Sequence, residues 1–108
     1  MTETSYQFIQ NLLEEIPSLP EKSILSRTFY QEGQLKAILL GFAPGQELSE
    51  HTASVPAILQ ILEGEATLGL GPDRCEAGAG AWAHMPPGLP HSIYAHTPVK
   101  MLLLMLPK

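Results

Sequence analysis

The stretch EHTASVPAILQILEGE, residues 50–65, contains the apolar run that decides the fold. Side chains of a strand alternate between its two faces, so this run places Ala57, Leu59 and Ile61 on one face and Ile58 and Leu62 on the other. Both faces are apolar, which predicts a strand that is buried on both sides. Gly64, which follows this run, predicts a tight turn into the next strand, EATLGL.

Two partners are able to cover the second face of this strand. One is another copy of the chain, which predicts a homodimer. The other is a short N-terminal α-helix over residues 5–16, where apolar side chains recur at helical spacing: Phe8, Ile9, Leu12, Leu13 and Ile16. Thr4 and Gln7 match a capping box at its start, and Pro17 and Pro20 end it. We therefore expect a helical segment, 1–22, ahead of a single barrel domain, 23–108.

The rest of the chain consists of short apolar or alternating runs. They are SILSRTFY, QLKAILLGF, VPAILQIL, EATLGL, AWAHM, HSIYAH and VKMLLLML, and glycine, proline or aspartate separates most of them. Short strands at this spacing are typical of an antiparallel barrel or sandwich. The sequence predicts an all-β fold behind the helix.

Two spaced motifs indicate which barrel this is. The first motif of the cupin superfamily has the form G-x5-H-x-H-x3-E-x6-G, and this chain keeps every interval of it with Gly45, His51, Ala53, Ala57 and Gly64. The chain therefore resembles the cupins, and its length and N-terminal helix make it similar to the small single-domain bacterial members. Alanine stands at two positions that are ligands in the motif.

The second cupin motif, G-x5-P-x-G-x2-H-x3-N, matches with one substitution. Its positions fall on Gly80, Pro86, Gly88, His91 and Ala95, so that only the final asparagine is replaced. The resemblance implies the cupin fold, an antiparallel double-stranded β-helix of the jelly-roll type. It also implies that His51 and His91 face the barrel interior from different strands and meet in one pocket.

The resemblance implies a metal centre only in part. Cupins with the intact motifs use three histidines and one glutamate, and of that set this chain keeps His51 and His91. Catalytic zinc usually takes three protein ligands, and non-haem iron takes two histidines and a carboxylate, so two imidazoles make a poor site. We expect no tightly held cofactor, and at most a weakly bound divalent metal on these two residues.

Judged by strand parity, the other histidines are not expected to complete the metal-ligand set. His84 alternates with Ala83 and Met85, which look like the core side, and His96 has the opposite parity to His91. Both are expected to face outward. Glu47 shares the parity of His51 but lies in a predicted loop, where alternation is unreliable.

Alanine in place of histidine and glutamate widens a pocket and makes it less polar, which favours an organic ligand. The expected lining combines the motif positions with apolar residues of matching parity: His51, Ala53, Ala57, Leu59, Ile61, His91 and Ile93. Pro56, Trp82 and Met85 are able to add to the wall, although core packing is the simpler interpretation of Trp82 and Met85.

Composition excludes several partners. The net charge is −5, and the six basic residues form no run that could follow a phosphate backbone, so nucleic acid is not expected. The start, MTETSYQFIQ, does not resemble a secretory signal, and MLLLMLP is far shorter than a membrane span, so no membrane association is expected. Cys75 is the single cysteine, which fits a cytoplasmic protein.

These observations favour a cupin-type protein that binds a small organic molecule near His51 and His91. The alternative is a metal-dependent cupin enzyme, of the dioxygenase or isomerase type, with an incomplete or weak two-histidine site. A metal-free enzyme with one histidine as base, and a barrel that acts only as an interaction unit, also stay open. Whether the chain is an enzyme is not decided by its sequence.

Overall fold

The computed structural model describes residues 5–16, 19 and 21–108. Within them a 3-10 turn, Leu12–Glu15, precedes nine strands. The strands are β1 (Ile24–Glu32), β2 (Leu35–Phe42), β3 (Glu47–His51), β4 (Ala57–Glu63), β5 (Ala66–Leu70), β6 (Asp73–Ala77), β7 (Trp82–Met85), β8 (His91–Ala95) and β9 (Val99–Met105).

The strands form two antiparallel sheets that pack face to face. One sheet has five strands in the order β1-β2-β9-β4-β7, and the other has four in the order β3-β8-β5-β6. Strands distant in sequence are neighbours in both, as β2 and β9 are, which is the connectivity of a jelly roll. The predicted all-β double-stranded β-helix is confirmed.

The core lies between the two sheets and is built by strand alternation. In β4 every second residue is buried, which puts Ala57, Leu59 and Ile61 inside, and the same alternation in β8 buries His91, Ile93 and Ala95. The buried cluster comprises Leu40, Phe42, Ala57, Leu59, Ile61, Ala66, Leu68, Met85, Ile93, Ala95, Val99 and Met101. The inner face of the five-stranded sheet thus provides most of the core.

The predicted N-terminal α-helix over residues 5–16 is wrong. Only the 3-10 turn forms, with the Asn11 side chain accepting a hydrogen bond from the Leu13 amide at its start. A helix of about a dozen residues is marginal in water, so the helical spacing of its apolar residues is not enough to form one here. Lys100 Nζ donates to the Leu13 carbonyl at 2.9 Å, and Arg27 donates to the Glu15 carbonyl at 3.3 Å. Thr4, Pro17 and Pro20, which were assigned to the ends of that helix, lie outside the described residues.

The segment that contains the turn packs on the outer face of the five-stranded sheet. Ile16 is 3% exposed, and a Cβ added at Gly41 would lie 3.0 Å from Leu19 and 3.1 Å from Ile16. Glycine in β2 therefore allows the segment to approach the sheet closely. The N-terminal residues therefore cover the outer face of β2, whereas the sequence predicted that a helix would cover β4.

The outer face of β4 and β7 is not covered in the same way. Trp82 is 60% exposed there, so the expected core packing of Trp82 is wrong, whereas Met85 is 2% exposed as expected. Trp82 pairs across the sheet with Gln60, whose side chain points away from the core, and it lies on an edge strand. Among the described residues, no helix is long and apolar enough to cross a membrane.

Candidate functional site

The two histidines of the motifs lie side by side on neighbouring strands. β3 pairs with β8, and His51 and His91 are direct partners in the register. Their ring centroids are 4.2 Å apart and the ring planes meet at 59°. This confirms the prediction that the two imidazoles meet. His91 is 8% exposed, whereas His51 is exposed on the edge strand.

A backbone hydrogen bond orients each ring in the same way. Nδ1 of His51 lies 2.9 Å from the Ser49 carbonyl oxygen, and Nδ1 of His91 lies 2.9 Å from the Leu89 carbonyl oxygen. A carbonyl only accepts, so both Nδ1 atoms are the protonated donors. In the neutral ring Nε2 then has a free lone pair, and neither Nε2 has a hydrogen-bond partner in the described part of the chain.

Both histidines line a cavity of about 310 Å³ at this end of the barrel. Ala53 and Ala57 line it too, so the two substituted motif positions border the same space as the histidines. The complete lining is Lys36, Ile38, His51, Ala53, Ala57, Met85, His91, Leu103 and Met105. The cavity is mainly apolar, with three nitrogen-bearing side chains and no carboxylate among the residues that line it.

Lys36 lines the cavity but was not among the site residues predicted from the sequence. Across the sheet it belongs to one row with Met105, Ala57 and Met85, because Lys36 pairs with Met105 and Ala57 pairs with both Met105 and Met85. Residues in one such row share a face, here the inner one. The sequence QLKAILLGF contains the pattern that could have predicted this, because Lys36 alternates with the same spacing as Ile38 and Leu40 and therefore lies on their face.

The remaining residues of the expected lining lie deeper in the barrel. Leu59 is 1% exposed, Ile61 0% and Ile93 2%, and all three belong to the buried core rather than to the wall of the cavity. They have the correct parity but lie farther along their strands than the histidines. Parity predicts the face of a residue, whereas depth along the barrel depends on strand register.

The donor set does not fit a tightly bound metal. No group of three or more histidine, cysteine, aspartate or glutamate side chains with suitable geometry occurs in residues 5–16, 19 and 21–108. His84 is exposed on the outer face, and the His96 ring is bonded to Thr67 Oγ1 at 2.6 Å and lies 3.4 Å from Glu76. Both histidines face outward, as predicted. Lys36 also places a positive charge in the wall, which opposes binding of a cation.

A wider groove lies on the opposite side of the five-stranded sheet. Its volume is about 680 Å³, and it separates the N-terminal residues from the outer face of β1, β2 and β9. Leu102 and Leu104 line it, and they alternate along β9 with Leu103 and Met105 of the histidine cavity. The groove is larger but has no cluster of ligating side chains, so the smaller cavity is the better candidate site.

The part of the chain that contains both histidines matches a family model. Residues 38–106 match the model described as the cupin domain, which covers more than half of the chain. The chain belongs to the cupin family. No match was found among curated proteins.

Solved structures of small bacterial proteins are similar to this cupin over nearly its full length. A cupin superfamily protein from Desulfitobacterium hafniense is 25% identical, with a TM-score of 0.83 over 90% of this chain and 88% of that one. A conserved protein of unknown function from Streptococcus pyogenes is 26% identical, with a TM-score of 0.82 over 97% and 92%. An RmlC-like cupin from Desulfovibrio desulfuricans is 24% identical, with a TM-score of 0.78 over 92% and 96%.

Proposed function

We propose that this cupin binds a small organic molecule in the cavity beside His51 and His91. The observation that supports it is the combination of an apolar wall with two imidazoles whose Nε2 atoms have no partner in the described chain. A mainly apolar cavity with a few converging polar groups is the usual form of a ligand site. Its volume, about 310 Å³, is at the lower end of the usual range and favours a compact ligand.

The proposal is tested by a fragment screen with ligand-observed NMR on the intact chain. Binding of a fragment should be lost in Ala57→Leu, which fills the cavity, and in Ala53→Leu, which fills it from the loop before β4. Hydrogen bonds to the rings should make His51→Ala weaken binding about tenfold. His84→Ala is the matched control, because His84 is exposed on the outer face, and it should leave binding unchanged.

The second candidate function is a metal-dependent cupin enzyme with a weak two-histidine site. One observation favours it: each ring donates Nδ1–H to a backbone carbonyl, which is the arrangement that commonly orients a metal-ligating imidazole. Elemental analysis of the same samples decides between the two. Near one equivalent of metal per chain, lost in His51→Ala and kept in His84→Ala, supports the enzyme and contradicts ligand binding to bare imidazoles.

We propose the cytoplasm as the place where the protein acts. Cys75 is exposed and unpaired, which suits a reducing compartment. The proposed partner is the small molecule alone, without nucleic acid or a membrane, together with a second copy of the chain.

A further inference from the structure

Lys36 gives the cavity a positive charge that no side chain of its described lining neutralises. It lines the cavity together with both histidines, and no aspartate or glutamate lines it. In the part of the chain that the structure describes, Lys36 has no ion pair and no side-chain hydrogen bond. Its cross-strand partners are Gln31 and Met105, neither of which is charged.

The position of Lys36 places this charge where a ligand enters. Lys36 is exposed, so it lies on the side of the cavity that is open to water, whereas Ala57 and Met85 of the same row are buried. An ammonium at this place keeps its hydration when the cavity is empty. A bound anion is able to replace part of that hydration with a charge-assisted hydrogen bond.

The two histidines require a hydrogen-bond donor on the ligand, whereas Lys36 requires an anion. Because Nδ1 of each ring is used by a backbone carbonyl, the neutral rings present Nε2 as hydrogen-bond acceptors. A carboxylate has only acceptor oxygens and does not satisfy them. A hydroxyl group donates one hydrogen bond and satisfies one of the two Nε2 atoms, and because the ring centroids are 4.2 Å apart the same group is able to reach either imidazole.

We infer that the ligand of this cavity is a small hydroxy carboxylate with an apolar body. Its carboxylate pairs with Lys36, its hydroxyl donates to His51 or His91, and its hydrocarbon part contacts the apolar wall formed by Ile38, Ala53, Ala57, Met85, Leu103 and Met105. This inference rests on the proposed binding function and adds the chemical class of the molecule.

Isothermal titration with matched compounds tests each part separately. The probes are 2-hydroxyhexanoate and 6-hydroxyhexanoate, which differ in the distance from hydroxyl to carboxylate. Their amides remove the charge, and hexanoate removes the hydroxyl. We expect at least one hydroxy acid to bind about tenfold more tightly than its amide and than hexanoate.

Variants then assign the preference to Lys36. Lys36→Met should remove the difference in affinity between the acid and its amide. Lys108→Met is the matched control, since the side chain of Lys108 is exposed and has no hydrogen bond or ion pair in the described chain, and it should keep the preference.

Three results overturn the inference. Equal binding of acid and amide, with both lost in Ala57→Leu, contradicts the charge requirement and leaves the proposed binding function intact. A preference for the acid that survives Lys36→Met contradicts the role of Lys36. Failure of every probe to bind contradicts the ligand class, and the fragment screen with Ala57→Leu then decides independently on the binding function.

Discussion

Single residues set the chemistry of the cavity. Methyl groups at Ala53 and Ala57 replace two side chains that would ligate a metal in the intact motif, so the space is larger and less polar than a complete centre. The two remaining histidines are held by carbonyl oxygens two residues earlier in the chain. This local bond fixes the tautomer of each ring without help from a carboxylate.

Gly64 allows a close approach between two loops. It has φ of 94°, and a Cβ there would collide with the carbonyl oxygen of Pro98, in the loop before β9. We predict that Gly64→Ala destabilises the fold by about 3 kcal/mol, from a left-handed backbone penalty and a forced shift of that loop. The measurement is urea unfolding followed by circular dichroism.

Gly33→Ala is the control for this change. Gly33 also has positive φ, 59°, but a Cβ there would have no atom within 4 Å. Gly33→Ala should lower the free energy of unfolding only by the penalty for a left-handed backbone, about 1–2 kcal/mol. Equal losses for the two variants would contradict the close approach at Gly64.

At the scale of elements, β2 separates two environments. Its inner side chains, Lys36 and Ile38, line the cavity, and its outer ones, Ala37 and Leu39, are buried on the opposite face. A strand that is buried on both faces needs cover from another layer. The N-terminal residues contribute that cover through Ile16 and through the hydrogen bond of Lys100 to Leu13.

Ile16 should contribute more to stability than larger apolar residues of the same segment. We predict that Ile16→Ala lowers the free energy of unfolding by about 2 kcal/mol, because it removes a buried side chain that packs above Gly41. Phe8 is 74% exposed, so Phe8→Ala should change the free energy of unfolding by less than about 0.5 kcal/mol. Chemical denaturation of both variants checks this. A larger loss for Phe8→Ala would mean that the segment packs through a different residue.

At the scale of the whole molecule, the outer face of β4 and β7 is suited to pairing with a second copy. Two cross-strand pairs lie there, Ile58 with His84 and Gln60 with Trp82, and neither has an aspartate, glutamate, lysine or arginine. Each copy has a net charge of −5, so two copies associate with less repulsion where the contacting pairs have no acidic side chain. A homodimer over this face remains a prediction.

Sedimentation velocity tests the homodimer. The unmodified chain should sediment as a dimer, and Trp82→Glu should shift it to the monomer, because the substitution buries a charge in the interface. Tyr94→Glu is the control, since Tyr94 is 40% exposed on the four-stranded sheet and should leave the dimer intact. A monomer for the unmodified chain, or dissociation by Tyr94→Glu alone, would contradict this interface.

The sequence by itself predicted the all-β fold from strand alternation, and the resemblance of its two motifs to those of the cupins predicted the jelly-roll type and the meeting of His51 with His91. Strand alternation and motif spacing are local properties, and they carry enough information to assign the face of each residue. Only the tertiary structure decided three other features. Residues 5–16 lack an α-helix because so short a helix depends on packing against the rest of the fold. Trp82 is exposed because it points to the outer face of β7, which no other layer covers in the described structure. Lys36 joins the histidines because the β2–β9–β4 register places it in one row with Ala57. Each depends on contacts between residues far apart in the chain, which no local pattern specifies.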